Sequence, residues 1–286
     1  MGIARTVGHI LTSPALALLS ARCIVWCQAP ETATLPGERL VFVSDRDGND
    51  EIYVMNADGT GQTRLTHNQV PDKTPTWSPD GTRIAFVREL CRGPDPSEEV
   101  PPLGNHEVYV INADGTGETR LTDNSDEVVE GPLGPLDFLG PPLVWNWFPA
   151  WSPDGTRIAF SSNRDHDSDI YVMRADGSQQ TRLTYSPAND QVPKWSPDGA
   201  LIVFVRMEDD LPLYVMNADG TGEKRLTTDE AIALTRTWSL PKTAFTDDAG
   251  GDEEVCLMNA DGTGKRRLTN NEAADTSPEW WAPPAP

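Results

Sequence analysis

Short acidic loops recur along the chain and carry the side chains best suited to chemistry. In two of them an oxygen-bearing side chain stands at every second position: Asp45, Asp47, Asn49 and Glu51 in the first, and Asn163, Asp165, Asp167 and Asp169 in the second. Oxygen ligands at this spacing in a short loop can converge on one hard cation, and Ca²⁺ prefers such ligands. Calcium is therefore the predicted cofactor, with one site in each loop. Solvated acidic hairpins without metal are the alternative that the pattern leaves open.

No segment of the chain matches a known catalytic motif. The nucleophile elbow G-x-S-x-G, the zinc motif H-E-x-x-H and the glycine-rich phosphate loops are missing. The histidines beyond the N-terminal segment, His67, His106 and His166, are expected in loops of different repeats. No catalytic residue is predicted, and the chain is predicted not to be an enzyme.

The charge balance restricts the partners. The 286 residues include 44 Asp and Glu but only 23 Lys and Arg, so the formal net charge is −21. Binding to nucleic acid needs clustered cations that neutralise phosphates, and an anionic membrane surface attracts basic segments. Both are therefore disfavoured, whereas cations and proteins remain suitable partners.

The N-terminal segment differs from everything that follows it. No acidic residue precedes Glu31, and after Arg5 an interrupted apolar stretch runs from Ile10 to Trp26. This composition is typical of a targeting segment. Residues 1–29 are predicted to be a signal-like leader and 30–37 a linker, which places the protein in the periplasm or outside the cell with no membrane span in its mature form. The alternative is a start without any targeting role.

One long pattern then recurs, ending each time at a tryptophan. The tryptophans are Trp77, Trp151, Trp195, Trp238 and Trp280. They lie 74, 44, 43 and 42 residues apart, so the basic unit has about 43 residues. A fixed period of this size indicates a solenoid or a propeller. The longer first interval is explained by two Pro- and Gly-rich insertions, 89–105 and 123–146.

Each unit reads as four short strands joined by tight turns. The segments S-P-D-G and A-D-G-T-G place Pro, Asp and Gly where hairpin turns need them, and the runs between them are rich in β-branched residues. Four-stranded units of this length are typical of propeller blades. The predicted fold is all-β, a single propeller of antiparallel blades over residues 38–281, followed by a Pro-rich tail at 282–286.

The repeat W-S-P-D-G, I-x-F, I-Y-V-M-N-A-D-G-T-G, R-L-T resembles that of TolB-type β-propellers. The resemblance covers residues 38–281, and it is specific for the fold but not for one function. Relatives with such blades include periplasmic interaction proteins, propeller domains attached to peptidases, and some sugar-processing enzymes. TolB-like proteins usually have six blades.

The two ends of the repeat region are complementary, which favours five blades. The first strand, Leu40 to Ser44, matches the second strand of a unit, and the last, Pro278 to Trp281, matches a first strand. Pairing of these strands would close the ring and leave no exposed sheet edge. Six blades stay possible. A degenerate strand at Thr32 to Leu35 is the alternative, and it would leave the C-terminal strand unpaired.

Most repeated residues are expected to have structural roles. The turn aspartates are expected to bond to their own backbone, the tryptophans to pack between blades, and Cys256 to be a small buried residue. The arginine of R-L-T is expected to pair with a nearby acid at the surface, an interaction of small worth. These arginines are Arg64, Arg120, Arg182, Arg225 and Arg267.

Two functions are compatible with these features. The first is a non-catalytic, exported propeller that serves as a protein-interaction or structural module, with a protein partner or self-association and divalent cations on its acidic face. The alternative is an extracellular or periplasmic hydrolase or lyase that acts on a polymer at the same face.

Overall fold

The computed structural model describes residues 37–90, 105–124, 144–208, 212–225, 242–247, 253–259, 264 and 266–281. The predicted leader, most of the linker and both insertions, and the Pro-rich tail lie outside these residues. No described residue is helical, so no helix capable of crossing a membrane occurs in this part of the chain.

The described strands form five antiparallel sheets, four of them four-stranded. Sheet I contains β1 (Arg39–Ser44), β2 (Glu51–Asn56), β3 (Thr63–Arg64) and β19 (Asp275–Trp281). Sheet II contains β4 (Asp72–Trp77), β5 (Arg83–Glu89), β6 (His106–Asn112) and β7 (Thr119–Arg120). Sheet III contains β8 (Asn146–Trp151), β9 (Arg157–Ser162), β10 (Asp169–Arg174) and β11 (Thr181–Arg182). Sheet IV contains β12 (Asp190–Trp195), β13 (Leu201–Arg206), β14 (Leu213–Asn217) and β15 (Lys224–Arg225). Sheet V contains β16 (Lys242–Asp247), β17 (Glu254–Asn259) and β18 (Arg266–Arg267). The predicted all-β class is confirmed, and sheets of this kind fit a β-propeller.

Alternate residues of one strand belong to two different cores, because successive side chains of a strand point to opposite faces. In β1, Val41 and Val43 pack with residues of sheet II, including Ile84, whereas Leu40 and Phe42 pack with sheet V. Burial of each such side chain stabilises the fold by about 2 kcal/mol. Apolar residues on both faces of the strands therefore hold neighbouring sheets face to face.

Three of the repeated tryptophans, Trp77, Trp151 and Trp195, fill the space between sheets, as predicted. Trp77 of sheet II packs in the core that it shares with sheet I, and Trp195 of sheet IV packs in the core that it shares with sheet III. The indole nitrogen of Trp195 donates a hydrogen bond to the carbonyl of Ala150 at 3.0 Å. Each of these tryptophans thus joins its own sheet to the preceding one.

The turn aspartates stabilise the hairpins, which confirms their predicted structural role. Asp80 accepts hydrogen bonds from the Ser78 hydroxyl at 2.6 Å and from the backbone N–H of Thr82 at 3.0 Å. Asp58 does the same in the other type of turn with Thr60, at 2.9 Å from its N–H. These bonds hold the pKa of both carboxyl groups below the usual range.

Each described innermost strand carries the same backbone irregularity. Thr74, Phe148, Val192 and Ser277 have φ values of 47°, 55°, 57° and 50°, and each precedes a proline. The pairing with the adjacent strand shifts register at these points. Positive φ costs a non-glycine residue about 1–2 kcal/mol, so the irregularity is a built feature of the inner strands.

The C-terminal strand pairs with the first strand of the repeat region. Leu40 lies opposite Trp280 and Ser44 lies opposite Asp275 in an antiparallel register. The Arg46 guanidinium also binds the Asp275 carboxylate at 2.9 Å across this pair. The alternative in which the C-terminal strand has no partner is therefore wrong.

Removal of residues 275–286 is expected to unfold or aggregate the protein, because it exposes the edge of β1 and leaves Arg46 without Asp275. Removal of 282–286 alone, which leaves β19 intact, is the matched control and should melt like the full chain. Thermal melts of both truncations with light scattering make the measurement. Equal melting of the longer truncation and the full chain would contradict the role given to β19.

Candidate functional site

In sheets I, II, III and V, strands β2, β6, β10 and β17 each carry a buried carboxylate as their first or second residue. These residues are Glu51, Glu107, Asp169 and Glu254, whose side chains are all 0% exposed. In sheet IV the equivalent position is Pro212. A buried carboxylate is stable only if cations or hydrogen-bond donors replace its water. The partners of these four groups therefore decide whether any of them is available for chemistry.

All four carboxylates pair with the arginine of an R-L-T segment, and Glu51, Glu107 and Asp169 also accept a hydrogen bond from its threonine. In sheet I, Arg64 binds Glu51 at 2.7 Å and donates through Nε to the carbonyl of Thr66 at 2.6 Å. The Thr66 hydroxyl donates to Glu51 and accepts from the backbone N–H of Ile52. The other arginine–carboxylate pairs are Arg120–Glu107 at 2.9 Å, Arg182–Asp169 at 2.7 Å and Arg267–Glu254 at 2.6 Å. The R-L-T segment thus supplies both the cation and the hydroxyl.

This geometry corrects the expected energetic role of the R-L-T arginines. The pairing with an acid is confirmed, but the acid is fully buried, so the pair is not a surface interaction of small worth. Burial raises the pKa of Glu107, and it raises that of Asp169 to about 6 although Arg182 opposes the shift. Loss of one partner would leave the other charge without compensation, which costs about 3–5 kcal/mol. Arg225 differs, since the acid with which it forms an ion pair, Glu208 at 4.0 Å, is partly exposed.

Two predicted calcium ligands meet an arginine. Asp47 and Glu51 both approach the Arg64 guanidinium, at 3.3 Å and 2.7 Å, and Asp47 also accepts a hydrogen bond from the Tyr53 hydroxyl. The bond from Tyr53 and the nearby Arg64 lower the pKa of Asp47, whereas burial, together with the bond to Asp47, raises the pKa of Tyr53. Repulsion between the loop carboxylates is thereby relieved by a cation from the chain itself.

The second acidic loop repeats this arrangement. Asp165 and Asp169 approach Arg182 at 3.7 Å and 2.7 Å, and the Tyr171 hydroxyl donates to Asp165. Asp167 is exposed in the same loop. The amide oxygen of Asn163 accepts from the backbone N–H of Trp145 at 2.6 Å.

The remaining predicted ligands of the first loop also have hydrogen-bond partners within the chain. Asn49 donates to Glu51 at 3.1 Å, whereas Asp45 accepts from the backbone N–H of Ala274 at 2.9 Å. Among the described residues no group of three or more His, Cys, Asp or Glu could hold a metal ion. Calcium binding by these loops stays a prediction, and it would compete with Arg64 and Arg182.

A second buried ion pair lies at the start of β4 and of β12, the first strands of sheets II and IV. Asp72 binds Arg88 at 2.7 Å, and Asp190 binds Arg206 at the same distance. Burial raises the pKa of both aspartates, with the arginines opposing the shift. In sheets I and III the arginine comes from the acidic loop instead: Arg46 binds Asp275, and Arg164 binds the Asn146 amide oxygen at 2.9 Å. The sequence did not predict this pair, because the arginine comes from a strand in sheets II and IV but from the acidic loop in sheets I and III.

The arginines of these inner pairs also stack on the repeated tyrosines. The guanidinium carbons of Arg88 and Arg206 lie 4.6 Å and 4.0 Å from the ring centres of Tyr109 and Tyr214. Such cation–π contacts add about 0.5–2 kcal/mol each, more when they are desolvated. Sheet V has Cys256 at the position of the tyrosine, buried and not in a disulfide, as predicted.

His106 differs from its predicted location in a loop. It is the first residue of β6 and is 5% exposed, with its ring 4.6 Å from that of Trp147 and 5.8 Å from that of Trp145. Burial lowers its pKa to about 4, although Glu89 at 3.7 Å opposes the shift. His106 is therefore neutral at neutral pH and packs as an aromatic residue. His166, by contrast, is an exposed loop residue as predicted.

Comparison with known proteins agrees with the repeated geometry. The family model of the TolB beta propeller domain matches residues 144–241. The chain carries TolB-like propeller repeats. A TolB homologue from Chlorobium luteolum is 28% identical over 201 residues, which are 70% of this chain and 36% of that protein. The Tol-Pal system protein TolB of Geobacter sulfurreducens is 37% identical over 94 residues, 33% of this chain and 17% of that protein.

Among solved structures, TolB from Acinetobacter baumannii matches 85% of this chain and 66% of its own, with 18% identity and a TM-score of 0.40. The chain spans only 27% to 50% of the length of the first curated relatives that it matches. The similarity to the TolB-like proteins therefore concerns their repeats.

Replacement of Glu51 by Gln is expected to lower the free energy of unfolding by about 3 kcal/mol, because it removes the buried charge opposite Arg64. Asp58→Asn is the matched control: this aspartate is exposed in a turn, and its change should cost about 0.5 kcal/mol or less. Urea denaturation of both variants measures the difference. Equal losses would contradict the special weight given to the buried pair.

Calcium binding by the acidic loops predicts a melting temperature that rises with ion concentration, because a ligand of the folded state alone stabilises it. Melts in millimolar calcium and in chelator, at matched sodium chloride, give the comparison. The double variant Asp47→Ala with Asp165→Ala should lose the rise. If the parent protein melts identically in both buffers, the calcium prediction is wrong and the acidic loops are hairpins whose carboxylates bind Arg64 and Arg182.

Proposed function

We propose that this protein is an exported, non-catalytic β-propeller of five blades in a closed ring, and that it acts as a protein-interaction module of the cell envelope. The observation that carries the proposal is the pairing of its buried carboxylates with arginines. Four of the buried carboxylates, Glu51, Glu107, Asp169 and Glu254, form the same arginine pair in sheet after sheet, so a cation of the chain already occupies the groups that could otherwise serve in acid–base catalysis. A catalytic pair would have to break this symmetry.

The contacts between sheets support a closed ring. Shared apolar cores join sheet I to II, II to III, and III to IV, and a further core joins sheet V back to sheet I. Sheet V has three described strands, and the tryptophan of its expected inner strand, Trp238, lies outside the described residues. With that strand in place, each of five blades would have four strands.

A protein partner is favoured by the charge and by the relatives. A net charge of −21 disfavours nucleic acid and anionic membranes. Relatives with the same repeats include proteins named as components of the Tol-Pal system. Export is supported by the composition of residues 1–29, which contain no acid. Partner, compartment and leader cleavage belong to the proposal.

The enzymatic alternative, a hydrolase or lyase that acts on a polymer at the acidic face, makes an opposite prediction. The purified chain would degrade an extracellular polysaccharide or peptide polymer, with or without added divalent metal. The proposed function predicts no degradation above that of a heat-denatured sample.

Site-specific photocrosslinking in cells that produce the chain natively tests the interaction. A photoreactive residue replaces Thr156 or Asp219, in turns at one end of the strands, or Asp167, in an acidic loop at the other end. We expect a discrete crosslinked protein from one end only, in the periplasmic or extracellular fraction, on a chain whose intact mass lacks residues 1–29.

The outcomes separate the possibilities. Crosslinks between two copies of the chain would indicate self-association as the interaction. Degradation of a polymer together with the absence of crosslinks from both ends would overturn the proposed function. A chain that is found in the cytosol with residues 1–29 still attached would overturn the export that is part of the proposed function.

A further inference from the structure

A groove of about 820 Å³ crosses the turn end of sheet III, the end that carries the S-P-D-G and A-D-G turns. It is lined by Arg83 of sheet II, by Arg157 and Arg174 of sheet III, and by the Ala218–Asp219 turn of sheet IV. It therefore extends over three neighbouring sheets on the side opposite the acidic loops. A volume of this size accommodates a small molecule or a short extended peptide.

Three arginines give this groove its positive charge. Several other arginines bind buried acids at close range, as Arg64 binds Glu51 and Arg88 binds Asp72. Among the described residues Arg83, Arg157 and Arg174 have no such close ion pair, and Asp80, Asp154 and Asp176 interact with them only at longer range. In a protein with a net charge of −21 the groove is therefore a local concentration of positive side chains.

The two acids of the groove form no close ion pair with these arginines. The Asp176 carboxylate accepts hydrogen bonds from the backbone N–H and the hydroxyl of Ser178, at 3.0 Å and 2.6 Å. Asp219 makes the same bonds with Thr221, at 2.9 Å and 2.7 Å. Both acids therefore serve their own turns, as the corresponding aspartates do in other sheets.

The turn of sheet III departs from the repeat at three positions, and two of them, Arg174 and Gln179, line the groove. In sheets I, II and IV an asparagine ends β2, β6 and β14 and packs on the second glycine of the turn. A Cβ added to Gly117 would lie 2.6 Å from the Asn112 side-chain nitrogen, so a side chain there would require Asn112 to move. Sheet III replaces the asparagine by Arg174 and the glycine by Gln179.

The exchange at both positions retains the backbone of the other turns. Gln179 has a φ of 56°, close to the 66° of Gly117, although a side chain disfavours this conformation. Gln179 therefore has backbone strain that a glycine would not have. The exposed Arg174 stands where the other turns have the asparagine that packs on the glycine. Strain held at a surface position is expected where function maintains it.

We infer that this groove binds an acidic peptide segment of a partner protein. Planar guanidinium groups match carboxylates in two-point hydrogen bonds, and Arg83 and Arg157 are held in place by stacking on Trp151 and Trp195, at 4.7 Å and 4.5 Å. Val172 and Leu183 line the groove beside them, which suits a peptide with apolar as well as acidic side chains better than a free small anion. This inference rests on the proposed function and names the class of partner.

Two variants test the groove without harm to the fold. Arg174→Asn with Gln179→Gly restores the turn of the other sheets, so its melting temperature should be unchanged or higher. Arg157→Leu introduces the residue that sheet IV already has at this position, Leu201. Arg39→Leu is the matched control, because Arg39 occupies the same repeat position and stacks on Trp77 at 5.0 Å, outside the groove.

The probe is a fluorescein-labelled peptide of Leu-Glu-Ser repeats, measured by anisotropy at physiological ionic strength with the full chain. We expect saturable binding, at least about tenfold weaker binding of the peptide with Gln for Glu, and a loss of about tenfold or more in the double variant and in Arg157→Leu. Arg39→Leu should bind like the parent.

Equal affinity of the double variant and the parent would overturn the inference, and so would the absence of any binding by the parent. Competition by inorganic pyrophosphate at the concentration of the peptide itself would also overturn it, since the groove would then select a small anion. A partner crosslinked in cells with equal yield from the parent and the double variant would reject the groove while it leaves the proposed function standing.

Discussion

A carboxylate buried between strands needs a cation beside it, and the rest of this structure depends on meeting that need once in nearly every sheet. Glu51 illustrates the solution: Arg64 supplies the charge, and Thr66 supplies a hydroxyl that also binds the backbone of the same strand. Because the arginine comes from the outermost strand, that strand is fastened to its sheet in sheets I, II, III and V although it is only two residues long. Mutual compensation of charge, rather than strand length, holds these edges.

The same polar groups also connect one sheet to the next. The Asn68 side chain donates to Glu51 of sheet I and to Asp72 of sheet II, at 3.4 Å and 2.8 Å, and Asn271 binds Asp275 in the same way at 2.7 Å. Between sheets II and III, Asn146 itself reaches Glu107 at 3.1 Å. The apolar cores thus bring the sheets together without selecting one register, and the buried polar network selects it. Departures from the repeated network consequently mark places where selection acts on something other than the fold.

Much of this architecture follows from the period and the turn chemistry. The tryptophan spacing gives the unit, the Asp–Gly turns give its hairpins, and the complementary ends predict that the C-terminal strand pairs with β1. The sequence did not predict positive φ at Val192, since β-branched residues disfavour it, nor the inner pair of Asp72 and Arg88, whose members belong to different strands. The acidic loops suggested metal because their arginine partners lie farther along the chain and come close only after the strands pair.

Pairing of the last strand with the first determines when the molecule can be completed. Ser44 and Asp275 are partners, yet almost the whole repeat region separates them along the chain, so their contact closes a very long loop. Closure of a long loop has a large entropic cost that local hairpins avoid, and nonlocal strand pairing slows folding. Sheets II to IV can form as they emerge from the ribosome, whereas sheet I must wait for residues 275–281 with β1 open on one side. Until those residues are made, the nascent chain keeps one unpaired strand edge that a chaperone could bind.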